Sequence, residues 1–527
     1  MKSKILNYML LTLIVLTACD NDEFLDQPLK GRQQLDGFFD SVENAEKVVN
    51  GAYLYVSGNS WNELNFMRLV NEMATDDQWA GNTLQPNPDI TGIAAYNVFA
   101  GSSYFNLFWR SNYRGITRAN IGIENISLIE NIDEDLKNRY LAELGFIRGW
   151  SYFELVKNFG GVPLVKSYSE LLEPDFVNTT RASIEETYAF IEQDLLEAIP
   201  NLPLKSEYAD KDRGRVTKGA AQSLLAKMYL YTEQWDKAQS MAKLVMDSGE
   251  YELEPNFEDV WSVGNRSGIE SIFEVEFIHD LNFNNIGGGL SVISGSRGED
   301  FWGWGMPTSF LENAFIAEGD FIRLRSTINK HGEPVYGDPD APEFDGKPTE
   351  NKSGRVNRKF YIPIAERPEN MAVGNTPLST IHIRYADLLL IHAEAAYFNG
   401  QEGMAKESLK EVRDRVELPT NMSLSGAGLR DAIWKERHLE LALEGHRLYD
   451  IRRQKVNGVP IIASILGPNG TFVQYNLTSS DPFETTNNSV EFQTKGDLFD
   501  VSKHLLWPIP PEEIQLSQGK ITQNPGY

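Results

Sequence analysis

The chain has 527 residues, 41% of them hydrophobic, which is enough to bury the core of one large helical body or of two to four ordinary domains. A formal charge of −26 excludes nucleic acid and an anionic membrane surface as partners, because both would be repelled. A single cysteine, Cys19, excludes a disulfide framework and cysteine-ligated metal sites.

At the N-terminus, Lys2 and Lys4 precede an apolar run over 5–16, and Leu16-Thr17-Ala18-Cys19 sets two small residues before the cysteine. This is the pattern of a bacterial lipoprotein signal, with 1–18 as the signal peptide and Cys19 as the lipidated residue. The run is too short to span a membrane. Asp20, Asp22, Glu23 and Asp26 put an acidic group directly behind that anchor.

Periodicity then predicts helices. Over 138–158, Ala142, Gly145, Phe146, Gly149, Phe153 and Val156 recur at steps of three and four, with Gly160-Gly161 and Pro163 as the stop. Three small residues on that face allow a neighbouring helix to approach closely. Over 183–199, Ser183 and Glu186 form a predicted capping box before an amphipathic run that ends at Pro200. Ala226, Tyr229, Trp235, Ala238 and Val245 lay out two helices around a turn at 233–235, and Ala393, Tyr397, Gly400, Ala405 and Leu409 repeat the layout. Small residues in one helix opposite an aromatic in its partner are what tetratricopeptide-type hairpins use to stack.

The middle of the chain reads differently. Residues 272–277 alternate apolar and acidic side chains, as a strand does. Residues 282–308 form a Gly- and Asn-rich loop holding Phe301, Trp302 and Trp304, and 330–350 and 467–496 are further exposed excursions. Residues 429–453 read as one helix carrying an internal ladder of charges at spacings of three and four, among them Glu436, Glu440, Glu444, Arg447 and Asp450.

No motif carries catalytic chemistry. The seven histidines show no HExxH or zinc-finger spacing, Gly287-Gly288-Gly289 lacks the lysine of a phosphate loop, and Gly295-Ser296-Arg297-Gly298 is not a nucleophile elbow. The doublets Asp76-Asp77 and Glu299-Asp300 could supply acid and base to a glycosidase, but 75 acidic residues produce such doublets by chance. The expectation is a protein with no catalytic residues, no metal and no cofactor.

Four segments resemble the SusD/RagB family of nutrient-binding lipoproteins. They are Ala142-Glu143 through Phe159-Gly160-Gly161-Val162-Pro163-Leu164; Ile383-Arg384-Tyr385-Ala386-Asp387 with Ala393-Glu394-Ala395; Glu436-Arg437 through Glu444-Gly445-His446-Arg447-Leu448-Tyr449-Asp450; and Trp507-Pro508-Ile509-Pro510 with Asn524-Pro525-Gly526-Tyr527. The resemblance implies a mainly α fold, in which tetratricopeptide-like helix hairpins stack as a right-handed scaffold and a loop-rich second half contains short strands. It divides the chain into an anchor and acidic leader at 19–45, an N-terminal helical region at 46–265 and an intertwined C-terminal region at 266–527.

It further implies a lipid-anchored protein exposed on the outer membrane, which captures oligosaccharide for a SusC-like TonB-dependent transporter. Its site residues, carried over from glycan-binding members, would be Arg68, Asp77, Trp79 and Asn82, with Trp302 and Trp304 as stacking aromatics on a glycine-flanked loop. A third aromatic has no counterpart near Gly287, where Ile286 stands, so starch is not implied. Capture of peptides on the same scaffold and a surface glycosidase are the alternatives.

Overall fold

The computed structural model describes residues 39, 41–57, 63–81, 87–173, 175–176, 179–280, 287–299, 301–341, 343, 353–486 and 495–527. In chain order, the first half runs through α1 (Val42–Ser57), α2 (Glu63–Met73), β1 (Gln78–Gly81), α3 (Ser103–Ile126), α4 (Glu134–Phe159), α5 (Ile184–Ala198), α6 (Lys218–Tyr231) and α7 (Trp235–Met246). The second half holds β2 (Ser271–Val275), β3 (Trp304–Pro307), β4 (Ile328–Lys330), β5 (Arg355–Asn357), β6 (Thr380–Arg384), α8 (Tyr385–Phe398), α9 (Glu402–Arg415), α10 (Gly426–Glu440) and α11 (Arg447–Arg453). The fold is mostly helical with a few short two-stranded pairings, as expected. No helix of the described residues is long and apolar enough to cross a membrane.

Helix α4 starts four residues before the predicted segment because Asp133 caps it, accepting from the Leu136 N–H, with Glu134 and Asp135 in the first turn facing the positive end of the helix dipole. It is buried on almost every side, which identifies it as the central helix of the scaffold. The small residues act as predicted: a Cβ on Gly149 would stand 3.5 Å from Leu195 of α5, so the two helices pack at the closest workable distance. The capping box at Ser183 and Glu186 is present.

The internal repeat is two hairpins, α6–α7 and α8–α9. Glu233, at φ +58°, makes the first tight turn. At their ends Trp235 stacks on Phe398 with ring centroids 4.3 Å apart, and Gln239 bonds both Asn399 and Gln401. The hairpins therefore stack side by side, burying Ala226, Ala238, Ala393 and Ala405 between them.

Strand β2 pairs antiparallel with β6. Its alternation does not give a wet face: Ile272, Phe273 and Glu274 are all buried, and the Glu274 carboxylate accepts the Ser267 N–H. The segment 282–308 is not all loop, since it contains a helical turn at Leu290–Ile293 and strand β3.

The predicted helix over 429–453 breaks into α10 and α11. Leu443 and Gly445 take positive φ in the turn between them, because the Arg68 side chain packs there: a Cβ on Gly445 would lie 3.0 Å from Arg68 Nε. The charges form no surface ladder along one helix. They reach across the fold as a buried network. Arg384 of β6 meets Glu270, Glu440 and Glu444; Arg323 meets Asp320, Glu436 and Glu440; Arg437 meets Asp387 and Asp450. Ion pairs this deep fix register, since any misalignment would leave a charge buried alone.

Candidate functional site

The segments expected to carry the site do meet, through the antiparallel pair β1–β3, in which Trp79 stands opposite Met306 and Gly81 opposite Trp304. The glycines serve this pairing. A Cβ on Gly81 would fall 2.3 Å from the Gly303 carbonyl, so backbone touches backbone there, and one on Gly305 would fall 2.5 Å from the Leu69 side chain, which packs against the bare backbone. Thr308 closes the base of the pair by donating to the Asp76 carbonyl.

This geometry corrects the expected roles of the tryptophans. Trp79 is 0% exposed: its ring faces Phe472, Lys495 Nζ sits 5.2 Å from the ring centre, and its indole N–H donates to Glu484 at 3.1 Å. Trp304 is 7% exposed, a strand residue and not the tip of an open loop. A ring without an open face cannot stack on a sugar. Trp302 keeps a partly exposed side chain, and its backbone N–H donates to the Val292 carbonyl.

The polar residues are also engaged. Arg68 donates to the carbonyls of Ile381 and Glu444 and borders a cavity of about 30 Å³, room for little more than a water. Asp77 is fully buried and bonds His438 Nε2 at 2.6 Å. Arg447 grips both oxygens of Asp76 at 2.9 and 2.7 Å. Burial by itself would raise the Asp76 carboxyl, and the Arg447 guanidinium outweighs it and takes the group down to about 2. Asp76, Asp77 and His438 bring ligand atoms within 4.8 Å of one another, as a metal site would, but the Arg447 fork and the Asp77–His438 bond already occupy them. Arg68, Asp77, Trp79 and Trp304 thus build the floor beneath the loops. Asn82 and Cys19 lie outside the described residues, as do Ile286 and Asp300.

Under that floor, Glu72 accepts the Gly445 N–H through one oxygen, and the other has no partner among the described residues. Burial, with Asp77 adding to it, pushes the Glu72 carboxyl from its ordinary 4.5 up to about 8. The folded state then holds this proton more tightly than the unfolded chain. The associated stability is complete below pH 4.5 and is lost as the pH rises to about 8. Glu72→Gln should flatten the decline, and urea denaturation at pH 5 and pH 8.5 measures it; an identical decline in both proteins would remove Glu72 as its source.

What remains open beside Trp302 is a run of alternating rings and guanidinium groups that the sequence did not reveal. Arg367 lies over Phe301 and Tyr361, at 5.4 and 4.9 Å from the ring centres. Arg358 lies over the same Tyr361 at 4.9 Å and donates to the Tyr336 carbonyl, and Arg325 lies over the Tyr336 ring at 4.2 Å. All six side chains are at least partly exposed. Glu299 pairs with Arg367 at 2.9 Å, so one member of the second acidic doublet braces this ladder. Its only trace in the sequence is the spacing of Arg358, Tyr361 and Arg367; the other rungs arrive from distant segments. A separate groove of about 600 Å³, lined by Trp109, Tyr113, Phe176 and Leu516, lies on the helical side and contains none of the site residues expected from the sequence.

Comparisons with known proteins agree on one family. The model of the SusD family matches residues 302–527, and a model described as starch-binding, associating with outer membrane, matches residues 23–230. A SusD-like protein of Formosa agariphila is 26% identical, with the alignment covering 98% of each chain. A SusD-like protein of Bacteroides ovatus is 24% identical over 86% of this chain and 82% of its own. Among solved structures, a laminarin-binding SusD-like protein superposes with a TM-score of 0.71 at 26% identity, over 92% of this chain and 98% of its own. A SusD homolog from Bacteroides thetaiotaomicron reaches 0.76 at 22% identity, over 95% and 100%, and shares the fold.

Proposed function

Because this chain belongs to the SusD family, we propose that it captures oligosaccharide at the cell surface and passes it to a SusC-like TonB-dependent transporter in the outer membrane, held there by lipid on Cys19. The observation that carries the capture step is the partly exposed ladder beside Trp302. Aromatic rings cover the apolar C–H face of a pyranose, and guanidinium and carboxylate groups beside them bond its hydroxyls. The laminarin-binding relative and the starch-binding description of the matched model support a glycan as ligand.

The acids near this face support binding without cleavage. A glycosidase needs two carboxyl groups free to act on opposite sides of one bond. Asp76, Asp77 and Glu299 are instead held by Arg447, His438 and Arg367.

Purified Cys19→Ala protein, screened by affinity electrophoresis in gels containing different polysaccharides, should be retarded by at least one. Prolonged incubation with that glycan should release no shorter products on chromatography. Retention by none, or release of products, overturns the reading. In cells the same variant should leave the membrane pellet for the soluble fraction, since it has lost its only lipid attachment site.

A further inference from the structure

Resting on that reading of the loop face, we propose that the ladder from Phe301 to Arg325 selects an anionic oligosaccharide, one carrying carboxylate or sulfate groups, over a neutral one. The argument begins with charge economy. The chain carries 75 acidic residues against 49 basic ones, and many of its enclosed arginines meet at least one carboxylate, among them Arg323, Arg384, Arg415, Arg437, Arg447 and Arg453, whereas Arg68 and Arg452 donate to backbone carbonyls. The ladder's arginines are partly exposed and poorly matched. Among the described residues, neither Arg325 nor Arg358 has a carboxylate within ion-pair distance, and Arg367 has only Glu299. Arg325 is the sharpest contrast, since its neighbour two positions earlier, Arg323, is fully enclosed by three acids.

The posture of these groups determines what they can accept. A guanidinium resting against a ring gains the cation–π contact while its N–H donors remain able to receive a carboxylate or sulfate. The ring contact also restrains the side chain, so less freedom is lost when the anion arrives. Arg358 commits Nε and Nη2 to the Tyr336 carbonyl and Arg367 commits Nε to the Ile362 carbonyl, which leaves Nη1 of each without a bond among the described residues. Two acids act on Arg358 from a distance, Glu258, which accepts the Ser326 hydroxyl, and buried Asp338, whose oxygens accept the Tyr361 hydroxyl and the N–H groups of Asp340 and Ile364; neither forms an ion pair with a ladder arginine. The net negative charge of the chain repels a polyanion in general, so an anionic glycan would be held where this local group of guanidinium charges outweighs that field, with the rings reading the sugar between its charges.

Calorimetry of the Cys19→Ala protein tests this with three probes of matched length: a laminarin oligosaccharide, its sulfated derivative and an oligouronate. At 20 mM salt, at least one anionic probe should bind about tenfold or more tightly than the neutral one, and the advantage should shrink severalfold at 300 mM. Arg325→Gln, at an exposed position, should weaken the anionic probe severalfold more than the neutral one with the melting temperature unchanged, and Arg325→Gln with Arg358→Gln should widen that difference. If the neutral probe binds as tightly as both anionic ones, or the arginine variants change nothing, the charge proposal fails while glycan capture stands. If no glycan of any class binds, capture itself fails and the proposal with it.

Discussion

Replacing Arg384 with Met should lower the unfolding free energy by about 3 to 5 kcal/mol, one of the two largest losses expected of a single substitution in this protein. The side chain is 1% exposed and lies among three acids, with contacts of 2.7 Å to Glu270, 2.7 Å to Glu444 and a short contact to Glu440. Five acids, Glu270, Glu440, Glu444, Asp320 and Glu436, share this cluster with five cations, Arg384, Arg415, Arg323, Lys359 and Arg413, so removing Arg384 leaves one negative charge unmatched. Burial would raise the Glu440 carboxyl, and Arg415, Arg384 and Arg323 together hold it well below the usual range. A depressed carboxyl contributes stability above its unfolded pKa and loses it as the pH falls through the folded value, so the deficit of the variant should be full at neutral pH and narrow in acid. Urea denaturation at pH 7 and at about pH 3, below the ordinary carboxyl value of 4.5, measures both, and a variant as stable as the parent at pH 7 would show that the network is not a structural lock.

Trp79→Ala should cost a similar amount, about 3 to 5 kcal/mol, because the cavity left by a fully enclosed indole cannot close around a β1–β3 pair whose backbones are already in contact. Glu484 would lose its indole donor, and Lys495, which bonds the Met73 and Gln78 carbonyls, would lose the ring beside it. The fraction that remains folded should bind glycan as the parent does. Denaturation and calorimetry on the same preparation separate the two effects. A Trp79→Ala protein with a native melting curve and no binding would return that tryptophan to the role of a sugar platform.

The contrast between Trp79 and the helix at α4 marks how far local signals reach. The span of α4, its close packing against α5 and the capping box at Ser183 were legible because each depends on residues within a turn or two along the chain. The paired hairpins were legible because the small-residue and aromatic pattern occurs twice at one offset. The alternation at 272–277 marked a strand, and β2 is one, but alternation reports polarity and not exposure: Glu274 is buried, accepting the Ser267 N–H.

Helical class, hairpin repeat and family were legible from residue order alone, since periodicity, caps and ordered motifs are properties of neighbours in the chain. Which aromatics face solvent depends on contacts made across the fold. The fate of Trp79 is set by Phe472, Glu484 and Lys495, some four hundred positions away. The glycines around Trp304, which suggested an open loop, instead make room for the Arg297, Met306, Leu69 and Gln78 side chains packed against them. The break after α10 is imposed by Arg68 from the other half of the molecule. The ladder is assembled from Phe301, Arg325, Tyr336 and the 358–367 segment, none of which carries a signal for the others. Burial and long-range ion pairing are three-dimensional quantities, and the side chains that settle them are brought together only when the chain has folded.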